Sequence, residues 1–261
     1  MRFYVQLAFT LLVCAFLVIP VVTSILAGVT ENFFVGVKSG LTLRWIGEVW
    51  ELYARTVYLS IGVALACLAA TLVLGVPAAY VLARAQNRWT RAFEELLVLP
   101  VAVPGLATAL ALILFYGQIR EFRASWTFIL VGHVLFTLPF MVRSVLAVMA
   151  AAEKLDPKLE EAARSLGASP WRVVVDVLIP GLKPALISAG AICFATAMGA
   201  FGTAFTLATR INVLPITIYT EFTNYANFAI AAALSIVLGV LTWLVLNLAR
   251  TFAGSTVAAA A

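Results

Sequence analysis

Charged residues gather in clusters along this chain, and the stretches between them, 3–30, 56–83, 96–119, 124–142, 184–209 and 222–249, carry no Asp, Glu, Lys or Arg. A charged side chain at the bilayer centre costs about 2.5–3.5 kcal/mol on insertion scales, so such gaps are where a chain can cross lipid. A helix rising 1.5 Å per residue needs about 20 predominantly apolar residues to cross the hydrocarbon core. Each gap supplies roughly that length. The pattern predicts an all-α integral membrane protein with six transmembrane helices, at about 4–27, 58–82, 96–117, 125–143, 184–208 and 227–249, in a single transmembrane domain over 1–261. The fourth gap is the shortest, and Gly132, His133, Thr137 and Pro139 lower its apolarity.

Composition agrees with this class. The 261 residues are 64% hydrophobic and 11% charged, whereas an ordinary soluble domain is about half apolar and a quarter charged. Lys and Arg accumulate in cytoplasmic loops. With an even number of spans, one side holds both termini and 11 of the 17 basic residues, among them Arg84, Arg88, Arg91, Arg143, Lys158 and Arg172. The other side holds Lys38, Arg44, Arg55, Arg120, Arg123 and Arg210, so the termini are expected in the cytoplasm. Trp45, Trp50, Trp126 and Tyr225 fall near the outer boundaries and read as interface anchors. The run after Arg2 is about twice the length of a signal-peptide core, and "SILAGV" offers no clean small-x-small cleavage site, so it reads as the first span.

Chemistry is sparse. Cys14, Cys67 and Cys193 all lie within predicted spans and suggest neither a disulfide framework nor a metal site. The chain has no Gly-x-x-x-x-Gly-Lys-Ser/Thr loop for ATP, no His-Glu-x-x-His and no Gly-x-Ser-x-Gly.

One segment stands out. "LDPKLEEAARSLGASPWRVVVDVLIP", Leu155 to Pro180, brings Asp156, Lys158, Glu160, Glu161, Arg164, Arg172 and Asp176 into an otherwise apolar chain, on the cytoplasmic side between spans four and five. Asp156 can cap a helix whose first residue is Pro157, where the missing N–H costs nothing. Glu160 and Glu161 then sit near the positive end of its dipole. Leu155, Leu159, Ala162, Ala163 and Leu166 share one face, and Gly167 suits the left-handed position that stops a helix. Ser169 can cap a second helix from Pro170, with Trp171, Val174 and Val175 on its apolar side and Pro180 ending the regular run. The result is a helix–turn–helix elbow. Its two adjacent alanines, flanked by Glu161 and Arg164, suit close docking; a plain connecting loop would fit the same pattern.

The run Glu161-Ala162-Ala163, three residues, Gly167, nine residues, then Val177-Leu178-Ile179-Pro180 resembles the "EAA, x3, G, x9, I-x-L-P" loop of bacterial binding-protein-dependent ABC importer permeases. Val177 and Ile179 depart conservatively from the family Ile and Leu. "LEEAARSLGAS", "LIPGLKPAL" and "VLPITIYTEF" look closest to the spermidine/putrescine-type permeases. The resemblance implies the type I importer permease fold, in a multi-pass protein of the bacterial inner membrane. It implies a coupling loop at 153–180, a second permease subunit (identical or different), two cytoplasmic ATPase subunits that hold the ATP and Mg, and an extracytoplasmic solute-binding protein. No cofactor is expected on this chain, and nothing points to nucleic acid. By the same likeness Glu161, Ala162, Ala163, Arg164, Gly167, Ser169 and Pro180 belong to the ATPase-coupling surface, with Glu161 meeting a basic residue of the motor.

In the fifth span Ala191, Ala195, Gly199 and Thr203 recur every four residues, a stripe that lets helices pack closely in lipid. Thr196, Met198 and Thr203 are the candidates for a translocation pathway, because the family lines its pore partly with this span. Polyamine permeases tend to carry acidic residues here, where this chain has Gly199, Ala200 and Phe201. A bare polycation is costly to desolvate without counter-charge, so a neutral, zwitterionic or anionic solute is favoured against the overall likeness. His133 can serve as a proton or substrate contact, or as a neutral hydrogen-bonding group between helices. A membrane enzyme or stand-alone facilitator built on His133 is the competing reading.

Overall fold

A computed structural model describes residues 2–85, 87–151 and 157–253. The helices are α1 (Arg2–Gly28), α2 (Arg44–Arg84), α3 (Arg88–Ala102), α4 (Gly105–Tyr116), α5 (Arg120–Arg123), α6 (Trp126–Ala151), α7 (Pro157–Ser165), α8 (Pro170–Val173), α9 (Ile179–Gly199), α10 (Phe201–Leu207), α11 (Leu214–Thr223) and α12 (Phe228–Ala253). Among the described residues, five helical runs are long and apolar enough to cross a membrane: α1, α2, α6, the stretch Pro170–Gly199, and α12. The pair α3 and α4 is long and apolar enough only when the two are taken together across a bend of 103°, and counts as a sixth if it is one broken span.

That bend is where the third predicted span, 96–117, departs from a straight helix. Val103 and Pro104 are extended, with ψ of 135° at both. A residue before proline is pushed out of the helical region, and Pro104 has no N–H with which to continue α3. The fifth predicted span, 184–208, is also interrupted. Its helix stops at Gly199, Ala200 takes φ −71° and ψ 83°, and α10 starts afresh at Phe201.

Pro180, which the sequence predicts at the end of a regular run, instead lies in the first turn of α9, and the helical run Pro170–Gly199 passes through it. The reason is one π-helical turn over Val174–Leu178, closed by Ile179 N–H donating to Val174 O. The wider turn relieves the clash a proline ring makes with the carbonyl four residues back.

The described residues divide into two compact units, with α2 and α12 contributing to both. The first comprises Met1–Leu59 and Asn212–Leu241. Its core is built from Val49, Val57, Leu214, Ile230, Ala233 and Leu234. The link from α1 to α2 is pinned by an antiparallel bridge between Thr30 and Leu41 and by Trp45 Nε1 donating to Thr30 O at 2.8 Å. Glu221 of α11 is buried and accepts a hydrogen bond from Tyr53 Oη at 2.5 Å. Most of α1 is exposed on all sides, as a helix in lipid contact is. It meets α12 at its end, where Gly28 lets the backbones approach.

The second unit comprises Ser60–Ile211 and Thr242–Ala261. Its core joins Ala79 and Leu82 of α2, Met141, Val142, Val145 and Met149 of α6, and Leu178, Leu182, Ala189 and Cys193 around α9. Close packing here depends on small residues, as expected where lipid supplies no hydrophobic drive between helices. A Cβ on Gly75 would lie 2.9 Å from Met141 Cγ.

Overpacking a well-filled contact costs about 1–3 kcal/mol. A Cβ at Gly28 would sit 2.9 Å from the backbone of Ala232 and Ala233, whereas one at Gly47 meets nothing within 4 Å. Gly28→Val is therefore expected to lower the thermal unfolding midpoint of the detergent-purified protein, and Gly47→Ala to leave it unchanged or slightly raised. Equal midpoints for Gly28→Val and the parent would contradict this packing.

Candidate functional site

The charged segment folds as the expected elbow. α7 runs through Ser165, and the chain reverses at Leu166, Gly167 and Ala168. Gly167 takes φ +86°, a conformation that L side chains rarely adopt. Gly167 N–H donates to Arg164 O at 2.9 Å and Ala168 N–H to Ala163 O at 3.0 Å, which closes the last carbonyls of α7. Ser169 caps α8 by accepting from Arg172 N–H at 3.3 Å, with Pro170 at the first helical position. Asp156, Leu155 and Lys154 lie outside the described residues, so the expected Asp156 cap is not part of this picture.

The elbow is anchored from one side. Val173 and Leu178 are buried, and Leu178 joins the core shared with α6. The opposite side faces outward: Glu161, Ala162 and Arg164 are exposed, Ala163 partly so, and Leu166 and Trp171 are 89% and 73% exposed. A shallow groove of about 250 Å³ runs beside the turn, lined by Ala163, Leu166, Gly167, Ala168, Arg172 and Asp176. The surface thus combines protruding apolar side chains, a shallow groove and charges of both signs.

Sequence reasoning missed the residue beside Glu161. Glu160 is buried at 6% exposure, and its two carboxylate oxygens are separately engaged. Tyr80 Oη donates to Oε2 at 2.7 Å, and Arg84 Nη2 forms an ion pair with Oε1. Arg84 also lies over the Tyr80 ring, 5.6 Å from its centroid. Tyr80 and Arg84 are four residues apart and so share a face at the end of α2. The only local signal was that spacing in "AYVLAR"; their partner is 76 residues or more away along the chain.

The candidate pathway residues are less gathered. Thr196 is partly exposed on α9, but Met198 and Thr203 are buried, and the exposed residues around the break are Gly199, Phe201 and Phe205. Thr203 Oγ1 lies 3.4 Å from His133 Nδ1. His133 is 2% exposed and belongs to a polar seam in the core, where Thr137 Oγ1 donates to His133 O at 2.7 Å and Cys67 Sγ lies 3.2 Å from Thr137 Oγ1. It has the surroundings of a hydrogen-bonded interhelical histidine.

Comparison with known proteins supplies the family. Residues 72–254 match the family described as "Binding-protein-dependent transport system inner membrane component". The chain is 31% identical over 202 residues to the sulfate transport system permease protein CysW of Synechocystis, covering 70% of this chain and 72% of the relative. It is 26% identical over 244 residues to the putrescine transport system permease protein PotI of Escherichia coli, covering 90% and 85%. Among solved structures, it resembles a bacterial ABC transporter involved in the import of the acidic polysaccharide alginate, with a TM-score of 0.72 at 16% identity over 98% of this chain and 96% of that one. The all-α fold and the match over most of the chain agree: the protein belongs to the binding-protein-dependent transport system inner membrane components, the non-catalytic permease subunits of ABC importers.

Proposed function

We propose that this permease docks cytoplasmic ATPase subunits through the α7–α8 elbow, pairs with a second permease subunit, and receives its solute from an extracytoplasmic binding protein. The observation that carries this is the outward face of the elbow, with Glu161, Ala162, Arg164, Leu166 and Trp171 exposed around a turn held by Gly167. An apolar side chain such as Leu166, left exposed on a charged cytoplasmic segment, is best accounted for by a partner that covers it. ATP and Mg belong to that partner, which closes and carries the elbows with it as rigid helices. Both termini are then cytoplasmic, in keeping with the excess of Lys and Arg on that side.

For the solute we favour a small anion. The six charge-free stretches hold no Asp or Glu to balance a polycation, which counts against a bare polyamine, and no Lys or Arg either, so an anion would be held there by hydroxyls and backbone N–H groups. What favours the anion is the sulfate permease relative, while the likeness to the putrescine permease covers more of the chain and sustains the alternative. Thr196 and the exposed Phe201 and Phe205 near the α9–α10 break are proposed to face the pathway, with Met198 and Thr203 packed behind them.

Glu161→Lys should insert normally, because the site is exposed, yet lose ATPase subunits on affinity co-purification. Gly167→Val places a β-branched residue at positive φ, a strain of about 1–3 kcal/mol, and should lose them too. Undiminished co-purification in both variants would remove the docking assignment. The cognate binding protein, tested by calorimetry against sulfate, putrescine and spermidine, is expected to bind the anion; tight polyamine binding alone would overturn the anion reading and leave the docking surface untouched.

A further inference from the structure

We infer that Glu160, with Tyr80 and Arg84, is the clamp that passes movement of the elbow to helix α2; this rests on the docking reading above. α7 is nine residues long, and Glu160 is its buried residue. A helix so short has little cohesion of its own, and here its attachment to α2 is polar. Apolar contacts allow sliding and rotation, whereas the Glu160 carboxylate is directional. One oxygen accepts from Tyr80 Oη at 2.7 Å and the other pairs with Arg84, so both the rotation and the height of α7 against α2 are specified. The pair is shielded, with the Glu160 and Arg84 side chains 8% and 23% exposed, and is therefore little screened by salt.

The position of the clamp within α7 gives it a role in coupling. Glu160 points into the protein while its neighbour Glu161 points out, so the residue offered to the motor and the residue holding α2 are consecutive. Force applied to the outer face can enter the permease along the chain, forward through α8 and the π turn into α9 and back into α6, and through the packing of Leu178 in the core shared with α6. The clamp adds a direct link to α2, which is unbroken from Arg84 back to Arg44. Without the clamp, α7 would follow the motor and α2 would not be obliged to follow α7. Glu160, Tyr80 and Arg84 are thus positioning residues for transport.

The test needs no transported solute. Spin labels at Val81 on α2 and Lys158 on α7, in nanodiscs holding the complete complex with its ATPase subunits, report their separation by pulsed electron resonance. It is measured without nucleotide and after trapping with ATP and vanadate. The clamp predicts one narrow distance distribution, the same in both states. In Glu160→Gln the distribution should broaden and shift on trapping, with basal ATP hydrolysis retained. Exchanging the partners, Glu160→Arg with Arg84→Glu, should restore the narrow distribution. A parent distance that changes between the states, or a Glu160→Gln distribution that stays narrow in both, would overturn the inference. If Glu160→Gln fails to assemble, Tyr80→Phe decides in its place: it keeps the ion pair, and broadening on trapping supports the clamp while an unchanged distribution overturns it. Failure of the docking reading would show separately, as ATPase subunits that co-purify undiminished with both Glu161→Lys and Gly167→Val.

Discussion

Ions are far more stable in water than in hydrocarbon, and this constraint arranges the molecule. The six uncharged stretches exist because each Lys, Arg, Asp or Glu within them would be penalised. Charge that the protein needs is therefore concentrated outside lipid, and the densest such stretch lies between α6 and α9. The two buried carboxylates among the described residues both have polar partners: Glu160 holds Tyr80 on one oxygen and Arg84 on the other, and Glu221 accepts a hydrogen bond from Tyr53 on one oxygen. Both fit the rule that a polar group leaves water at least cost where partners replace it.

The same constraint explains how the elbow can be both charged and adhesive. Its buried side, through Val173 and Leu178, joins the core around α6, and its exposed side keeps Leu166 and Trp171 beside Glu161 and Arg164. Gly167 makes the two helices reverse without strain, since its φ of +86° would oppose a side chain. The proposed coupling to a motor needs such a joint to be stiff. The closed hydrogen bonds of the turn and the Ser169 cap provide local stiffness, and the Glu160 clamp ties the joint to α2.

Much of this was legible in the sequence. Uncharged length is a one-dimensional property, so α1, α2, α6 and α12 could be located by counting. The elbow could be read because its signals are local: Pro157, Gly167, Ser169 and Pro170 each act on their own backbone. What escaped was decided by three-dimensional partners or by backbone geometry inside an apolar run. The breaks at Val103–Pro104 and at Ala200 leave hydropathy unchanged, although "LPVAVPGL" and "MGAFG" hold the Pro and Gly that permit them. Pro180 was misread because a proline more often ends a helix, and the π turn that admits it has no simple sequence signature. Glu160 and Glu161 look alike in the chain; a rotation of about 100° per residue sends one inward and the other outward. Thr203 falls on one four-residue stripe with Gly199, yet Gly199 is exposed and Thr203 is buried, as is Met198.

The central claim, that the elbow is the cytoplasmic seat of the motor, is tested most directly by a single cysteine in place of Leu166, which is 89% exposed. With Cys14, Cys67 and Cys193 replaced, its reaction with a membrane-impermeant thiol reagent is followed in intact cells, and in inside-out vesicles before and after stripping of the ATPase subunits. The account predicts no reaction in cells, rapid reaction in stripped vesicles, and protection when the ATPase subunits are returned. Labelling in intact cells, or equal rates with and without the ATPase subunits, would contradict it.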